Sequence, residues 1–186
     1  LRKDKLEKLW KDYRRYFLGL ISICVLCVGA WQGWKSYSVG KLLSSSKQYE
    51  LALNFNADGK NEDAITVLKG LVKSGYGSYK FLAGFQKAAI LGNSGNVAGA
   101  LETYKKLIDD STNLKLFRQA AVLFSVRHKL ELPSVNFEDL IMELDPIRKT
   151  EGVWRFSAEE TVGVILISSG KISEAREIFQ GLADNL

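Results

Sequence analysis

GNVAGALETYKKL, Gly95 to Leu107, carries an Ala five residues after its Gly, a large apolar Tyr four later and a Leu three after that. The same phrase stands at Gly59 to Leu71 as GKNEDAITVLKGL and at Gly170 to Leu182 as GKISEAREIFQGL. The first interval is 36 residues and the second 75, which is two further periods. A fourth, degenerate copy is therefore expected near residue 132. Placing Leu132 at the Gly position sets Phe137 in the column of Ala64, Ala100 and Ala175. Ile141 then joins Leu68, Tyr104 and Phe179, and Leu144 joins Leu71, Leu107 and Leu182. Seven residues before the Gly position stand Ala52, Ala88, Ser125 and Gly163, all small. A period of this length marks an array of supersecondary units.

The unit reads as a helix hairpin. A small residue lets the first helix come close to its partner. The Gly then ends that helix in the left-handed conformation that Gly tolerates. Polar and acidic residues such as Asn61-Glu62-Asp63 and Ser173-Glu174 suit the start of the second helix. Apolar residues at i, i+4 and i+7 follow, as in Ala64, Leu68 and Leu71. No segment alternates with period two, so no sheet is expected. One hairpin cannot bury its own stripe, and neighbours must stack to do so.

Ahead of the array, RRYFLGLISICVLCVGAWQGWK runs from Arg14 to Lys35 with no charge between Arg15 and Lys35. Tyr16 to Trp34 makes a helix of about 28 Å at 1.5 Å per residue, close to the roughly 30 Å apolar thickness of a bilayer. Tyr16 and Phe17 at one rim, and Trp31, Trp34 and Tyr37 at the other, match the aromatic belt of a retained span. Val28-Gly29-Ala30 offers the rival reading, a signal cleaved after Ala30. A buried helix of a soluble fold is the third, but the run lacks a polar face. The chain opens at Leu1 without Met, so further residues are expected before it. Residues 1–15 hold seven Lys and Arg, which places the N-terminus in the cytoplasm and the remainder outside it.

That leader also explains the basic balance. The whole chain has 26 basic and 21 acidic residues. Without the seven basic and three acidic residues of 1–15 the counts are 19 and 18, which removes the case for nucleic-acid binding by bulk charge. Cys24 and Cys27 both lie in the apolar run, where they pack as small hydrophobes. His128 is the single His, so no metal-ligand cluster and few acid/base constellations can be built. GNSGNVAG, residues 92–99, lacks the Lys-Ser/Thr ending of a phosphate loop and falls where a repeat turns. Ser44-Ser45-Ser46 lacks a nucleophile elbow. No catalytic residue, cofactor, metal or small-molecule substrate is expected, and the chain reads as a non-enzyme.

The order small, Gly, Ala, large apolar, apolar resembles the tetratricopeptide repeat. It departs from it where Gln48, Gly84, Ala121 and Glu159 replace the early Trp, in lacking the late Pro, and in the third copy. The leader RKDKLEKLWKDYRRY, the run ending GAWQGWKSY and four degenerate repeats together resemble the YfgM-type proteins of bacterial inner membranes. Read this way the fold is all-α: a basic cytoplasmic leader over 1–15, a transmembrane helix over 16–36, and over 37–186 an exported right-handed solenoid of about four tetratricopeptide-like hairpins. The resemblance implies a single-pass inner-membrane protein with a periplasmic domain. Its implied role is that of an ancillary or chaperone-like subunit beside the SecYEG translocon, with periplasmic chaperones or exported clients as partners. A cell-envelope scaffold and a membrane-tethered regulator are the alternatives.

In tetratricopeptide repeats the first helices line a protein-binding groove. The matching positions are Tyr49, Leu53 and Asn56 in the first repeat, and Phe85, Ala89 and Asn93 in the second. Val122, Val126 and Lys129 follow in the third, and Glu160, Val164 and Ile167 in the fourth. His128 falls where a first helix carries an aromatic, so packing is expected of it. Trp154 and Phe156 read as core residues, with a partner anchor as the second reading.

Overall fold

The computed structural model describes residues 3–184, without the side chains of residues 3–15, Phe17, Leu18 and Ser22. The expected leader over 1–15 therefore lies outside the described side chains. Among the described residues there are eight helices and no strand. They are α1 (Lys3–Ala57), α2 (Asn61–Ser74), α3 (Tyr79–Asn93), α4 (Val97–Asp109), α5 (Lys115–Leu130), α6 (Phe137–Arg148), α7 (Arg155–Ser168) and α8 (Ile172–Ala183). The chain divides into two units, Leu1–Ser44 and Ser45–Leu186.

In the first unit, α1 exposes Leu20, Ile21, Ile23, Val25, Leu26, Val28, Trp31 and Trp34. Among the described residues no helix is long and apolar enough to cross a membrane, so the span expected over 16–36 finds no support there. Cys24 and Cys27 are free and exposed in this unit rather than packed.

The second unit is a row of four helix hairpins. The end of α1 from Ser45 pairs with α2, α3 with α4, α5 with α6 and α7 with α8. Three of the turns are three residues long, and their glycines hold positive φ: 76° at Gly59, 82° at Gly95 and 79° at Gly170. A side chain with a Cβ is strained there, which is why Gly marks these turns in the sequence. Asn96 caps α4 by accepting the Gly99 N–H at 2.9 Å, so GNSGNVAG is a helix end, a turn and a cap. Ser45, in the serine triplet, is buried and its Oγ accepts the Tyr76 N–H at 3.0 Å.

Burial follows the repeat columns. Ala52, Ala88, Ser125 and Gly163 are all buried. At Gly163 an added Cβ would lie 2.6 Å from the Phe179 ring, so the smallest residue of the column faces a bulky aromatic partner. Ala64, Leu68 and Leu71 of α2 meet Ala52 of α1 and Ala83 and Ile90 of α3. Ala100, Tyr104 and Leu107 of α4 meet Ala88 of α3 and Ala121 of α5. The second helices α2 and α4 thus bury their stripes against their own first helix and the next one, as stacked hairpins require.

The third hairpin corrects the expected register. Its connection, residues 131–136, is six residues long and contains Pro133. Asn136 caps α6, accepting the Glu138 N–H at 3.0 Å, so the helix opens at Phe137, not three residues before it. Counting from that start, Leu140 takes the place of Ala64 and Ala100, Leu144 that of Leu68 and Tyr104, and Ile147 that of Leu71 and Leu107. Leu140, Leu144 and Ile147 are buried, whereas Phe137 and Ile141 are only half-buried. Leu140→Ala is therefore expected to cost about 2–5 kcal/mol in urea unfolding, and Ile141→Ala clearly less. The reverse order would restore the alignment that puts Phe137 in the Ala column.

Candidate protein-binding face

The first helices α3, α5 and α7 touch in succession, and α5 also packs on α4 and α6. What each offers to a partner is the part of its surface that these neighbours leave uncovered. On the end of α1, Leu53 is 38% exposed, Asn56 is half-buried, and Tyr49 packs its ring 5.8 Å from Tyr79. Burial, helped by Tyr79, raises the Tyr49 phenol above its ordinary pKa. On α3, Asn93 is exposed and Ala89 half-buried, while Phe85 turns into an aromatic seam. On α7, Glu160 is exposed, and Val164 and Ile167 are 42% and 49% exposed.

α5 departs from the expectation. Val126 is fully buried in the core shared with α6 and α7, so it cannot line a groove. Val122 is half-buried against the same core. The Lys129 ammonium is held by Glu143 of α6 at 2.6 and 2.8 Å, which draws it toward its own hairpin partner.

The seam behind the face is aromatic. Phe85 lies 6.2 Å from Tyr104 and 5.8 Å edge-on from Phe124, and Tyr104 stacks with Phe124 at 6.4 Å. Burial pushes the Tyr104 phenol up to about 12. His128 stacks on Tyr104 at 5.7 Å and lies over Gly92, where a Cβ would come within 2.4 Å of its ring. Among the described residues its Nδ1 has no hydrogen-bond partner, and it sits 3.6 Å from Glu131. Packing is its role, without the hydrogen bond that burial ordinarily brings. Trp154 completes the seam, 6.4 Å from Phe124, and its Nε1–H donates to the Leu116 carbonyl at 3.0 Å. Phe156 is outside it, exposed under the Arg155 guanidinium at 4.8 Å.

Two of the expected positions, Glu160 and Val164, meet at a cavity of about 410 Å³ between α5 and α7. Arg127, Leu130, Glu131 and Thr161 complete its lining. Arg127 Nε donates to Thr161 Oγ1 at 3.3 Å, and its Nη2 lies 3.6 Å from Glu160. These four residues are missing from the expected set. The signal in the sequence for two of them is the spacing Arg127, Leu130, which puts both on one side of α5 at its end, with Glu131 as the next residue of the chain. The arrangement can hold polar and apolar groups of another chain at once. Among the described residues no group of three His, Cys, Asp or Glu could hold a metal ion.

A model of the tetratricopeptide repeat-like domain family matches residues 7–186. The chain is also similar to the crystal structure of the nearly identical TPR-like repeats of a Podosopora anserina protein described as a "putative kinesin light chain". The TM-score is 0.57 and the identity 17%, over 75% of this chain and 74% of that one. At that identity the likeness shows the fold alone. No curated protein sequence matches the chain.

Proposed function

The chain belongs to the tetratricopeptide repeat-like domain family, and from that premise we propose that it is a membrane-anchored protein-binding adaptor serving protein export. Tetratricopeptide-like repeats are protein-interaction modules, and the second unit is such an array. The observation that carries the binding reading is the uncovered first-helix surface, where Leu53, Val164 and Ile167 expose apolar side chains and Val164 lines the cavity formed with Arg127 and Glu160. Apolar anchors rimmed by charged groups are what protein interfaces use.

The anchoring reading rests on the first unit. Leu20, Ile21, Ile23, Val25, Leu26 and Val28 of α1 expose apolar side chains in every direction around the helix, a pattern that suits an apolar surrounding. In the sequence, Phe17 and Leu18 extend the run. The seven basic residues of 1–15 support a cytoplasmic N-terminus and a periplasmic repeat unit. With the resemblance to YfgM-type proteins, these features favour a translocon subunit, a periplasmic chaperone or a chain in export as the partner.

A photo-reactive residue placed at Val164 or Ile167 of the full-length chain tests this in living cells. It is expected to cross-link to translocon subunits or to exported chains. Cross-links to wall or division machinery would move the assignment to an envelope scaffold. Cross-links to cytoplasmic proteins alone would defeat both.

A further inference from the structure

A second recess lies away from the first-helix face. It is a cavity of about 160 Å³ between α3 and α4, walled by Val72, Phe81 and Leu107 and edged by Lys80, Lys87 and Lys106. None of the residues matched to the tetratricopeptide groove lines it. Phe81 is held rigidly, stacked on Phe117 of α5 at 4.7 Å.

Its charge is unbalanced toward the cation. Lys106 is paired with Glu102 at 2.6 Å, and Asp110, which accepts from Thr112 at 2.6 and 2.9 Å, sets a single carboxylate of the lining near Lys80 against the three lysines. Lys87 is half-buried and, among the described residues, has no carboxylate partner. Burial first, then the neighbouring Lys106 and Lys69, depress its ammonium below the ordinary lysine range, against a smaller pull from Glu102. A half-buried ammonium with cationic neighbours gains from any anion that arrives.

Asn113 closes one end of the recess. It is 4% exposed, and its Nδ2 donates to the Leu107 carbonyl at 2.6 Å, which fixes the loop after α4 against that helix. A bare inorganic anion has nothing for the apolar walls. A peptide offers both a charged and an apolar side chain.

We propose that this recess takes an acidic side chain of an extended partner peptide against Lys87 and Lys80, and an adjoining apolar side chain against Val72, Phe81 and Leu107. The proposal rests on the protein-binding reading and names the chemistry of a partner segment.

Fluorescence anisotropy on the full-length chain in mild detergent tests it. The probe is a labelled peptide with an Asp-Leu-Glu-Phe core, compared with the same peptide carrying Asn and Gln for its acids. The acidic peptide is expected to bind at least about tenfold tighter, and Lys87→Gln to remove most of that difference while Lys87→Arg retains it. Should Lys87→Gln lose its helical circular dichroism, Lys80→Gln, at an exposed position, is expected to show a several-fold loss. Equal binding of the two peptides, an unaffected Lys87→Gln, or displacement by inorganic phosphate at peptide-like concentrations would each overturn the proposal. Val164→Asp is expected to leave this binding intact, so failure at the recess and failure at the first-helix face read out separately.

Discussion

Replacing Ala100 by Trp is expected to lower the stability of the repeat unit by more than about 3 kcal/mol, and its melting temperature by roughly 10 °C. Ala100 has no exposed surface and lies among Ala88, Tyr104, Leu107 and Ala121. The α3–α4 contact is already close, because a Cβ at Gly84 would come within 2.9 Å of the Leu107 side chain. An indole at position 100 has nowhere to go without parting the helices, and parting them empties the aromatic seam that joins the second hairpin to the third. Inserting even a few methylenes into such a core costs about 1–3 kcal/mol, and an indole is far larger. Ala98, exposed on the same helix, supplies the control: Ala98→Trp pays only helix propensity and is expected to stay within about 1 kcal/mol of the parent. If Ala100→Trp melts with the parent, the repeat register of α4 is wrong.

The parts of the fold legible in the sequence are those where one residue type has one physical reason to be there. Gly59, Gly95 and Gly170 hold a backbone conformation that other residues avoid, so three turns announce themselves and the hairpins between them follow. The third turn has no such residue. Its loop around Pro133 is three residues longer, and an alignment that keeps Leu144 in an all-Leu column absorbs the difference by sliding α6 within its repeat. A helical stripe slid by three residues still looks apolar, so periodicity alone does not detect the error. The binding face is less legible still, for a related reason. Positions matched from a family pattern assume that every first helix is covered alike, whereas α5 has neighbours in α3, α4, α6 and α7. Val126 is consumed by that extra packing. Asn113 is invisible for the opposite reason: a polar residue in a turn reads as solvated, and only the fold reveals that its amide is buried and half satisfied.

The chain's two cysteines are expected to be labelled by a water-soluble maleimide at least about tenfold more slowly in intact membranes than after detergent solubilisation, since the reactive species is a hydrated thiolate. Cys24 and Cys27 stand in the middle of the apolar run, and there is no other Cys in the chain. Their reactivity therefore reports on that run and on nothing else. The three readings of the run give three different results. A retained span shields both thiols until the bilayer is dissolved. A buried helix of a soluble fold gives thiols whose labelling rate does not depend on dissolving the bilayer, which would overturn the anchor. Cleavage after Ala30 removes both thiols, so that the mature chain takes up no label even when fully denatured. Leu26→Lys combined with Val25→Lys sharpens the first case, because two lysines at the centre of a span cost about 5–7 kcal/mol on the insertion scale. That cost is enough to move the protein out of the membrane fraction, and the thiols of the displaced chain should then label without detergent. A double variant that stays in the membrane with its thiols shielded would mean that something other than an apolar helix in lipid protects residues 16–36.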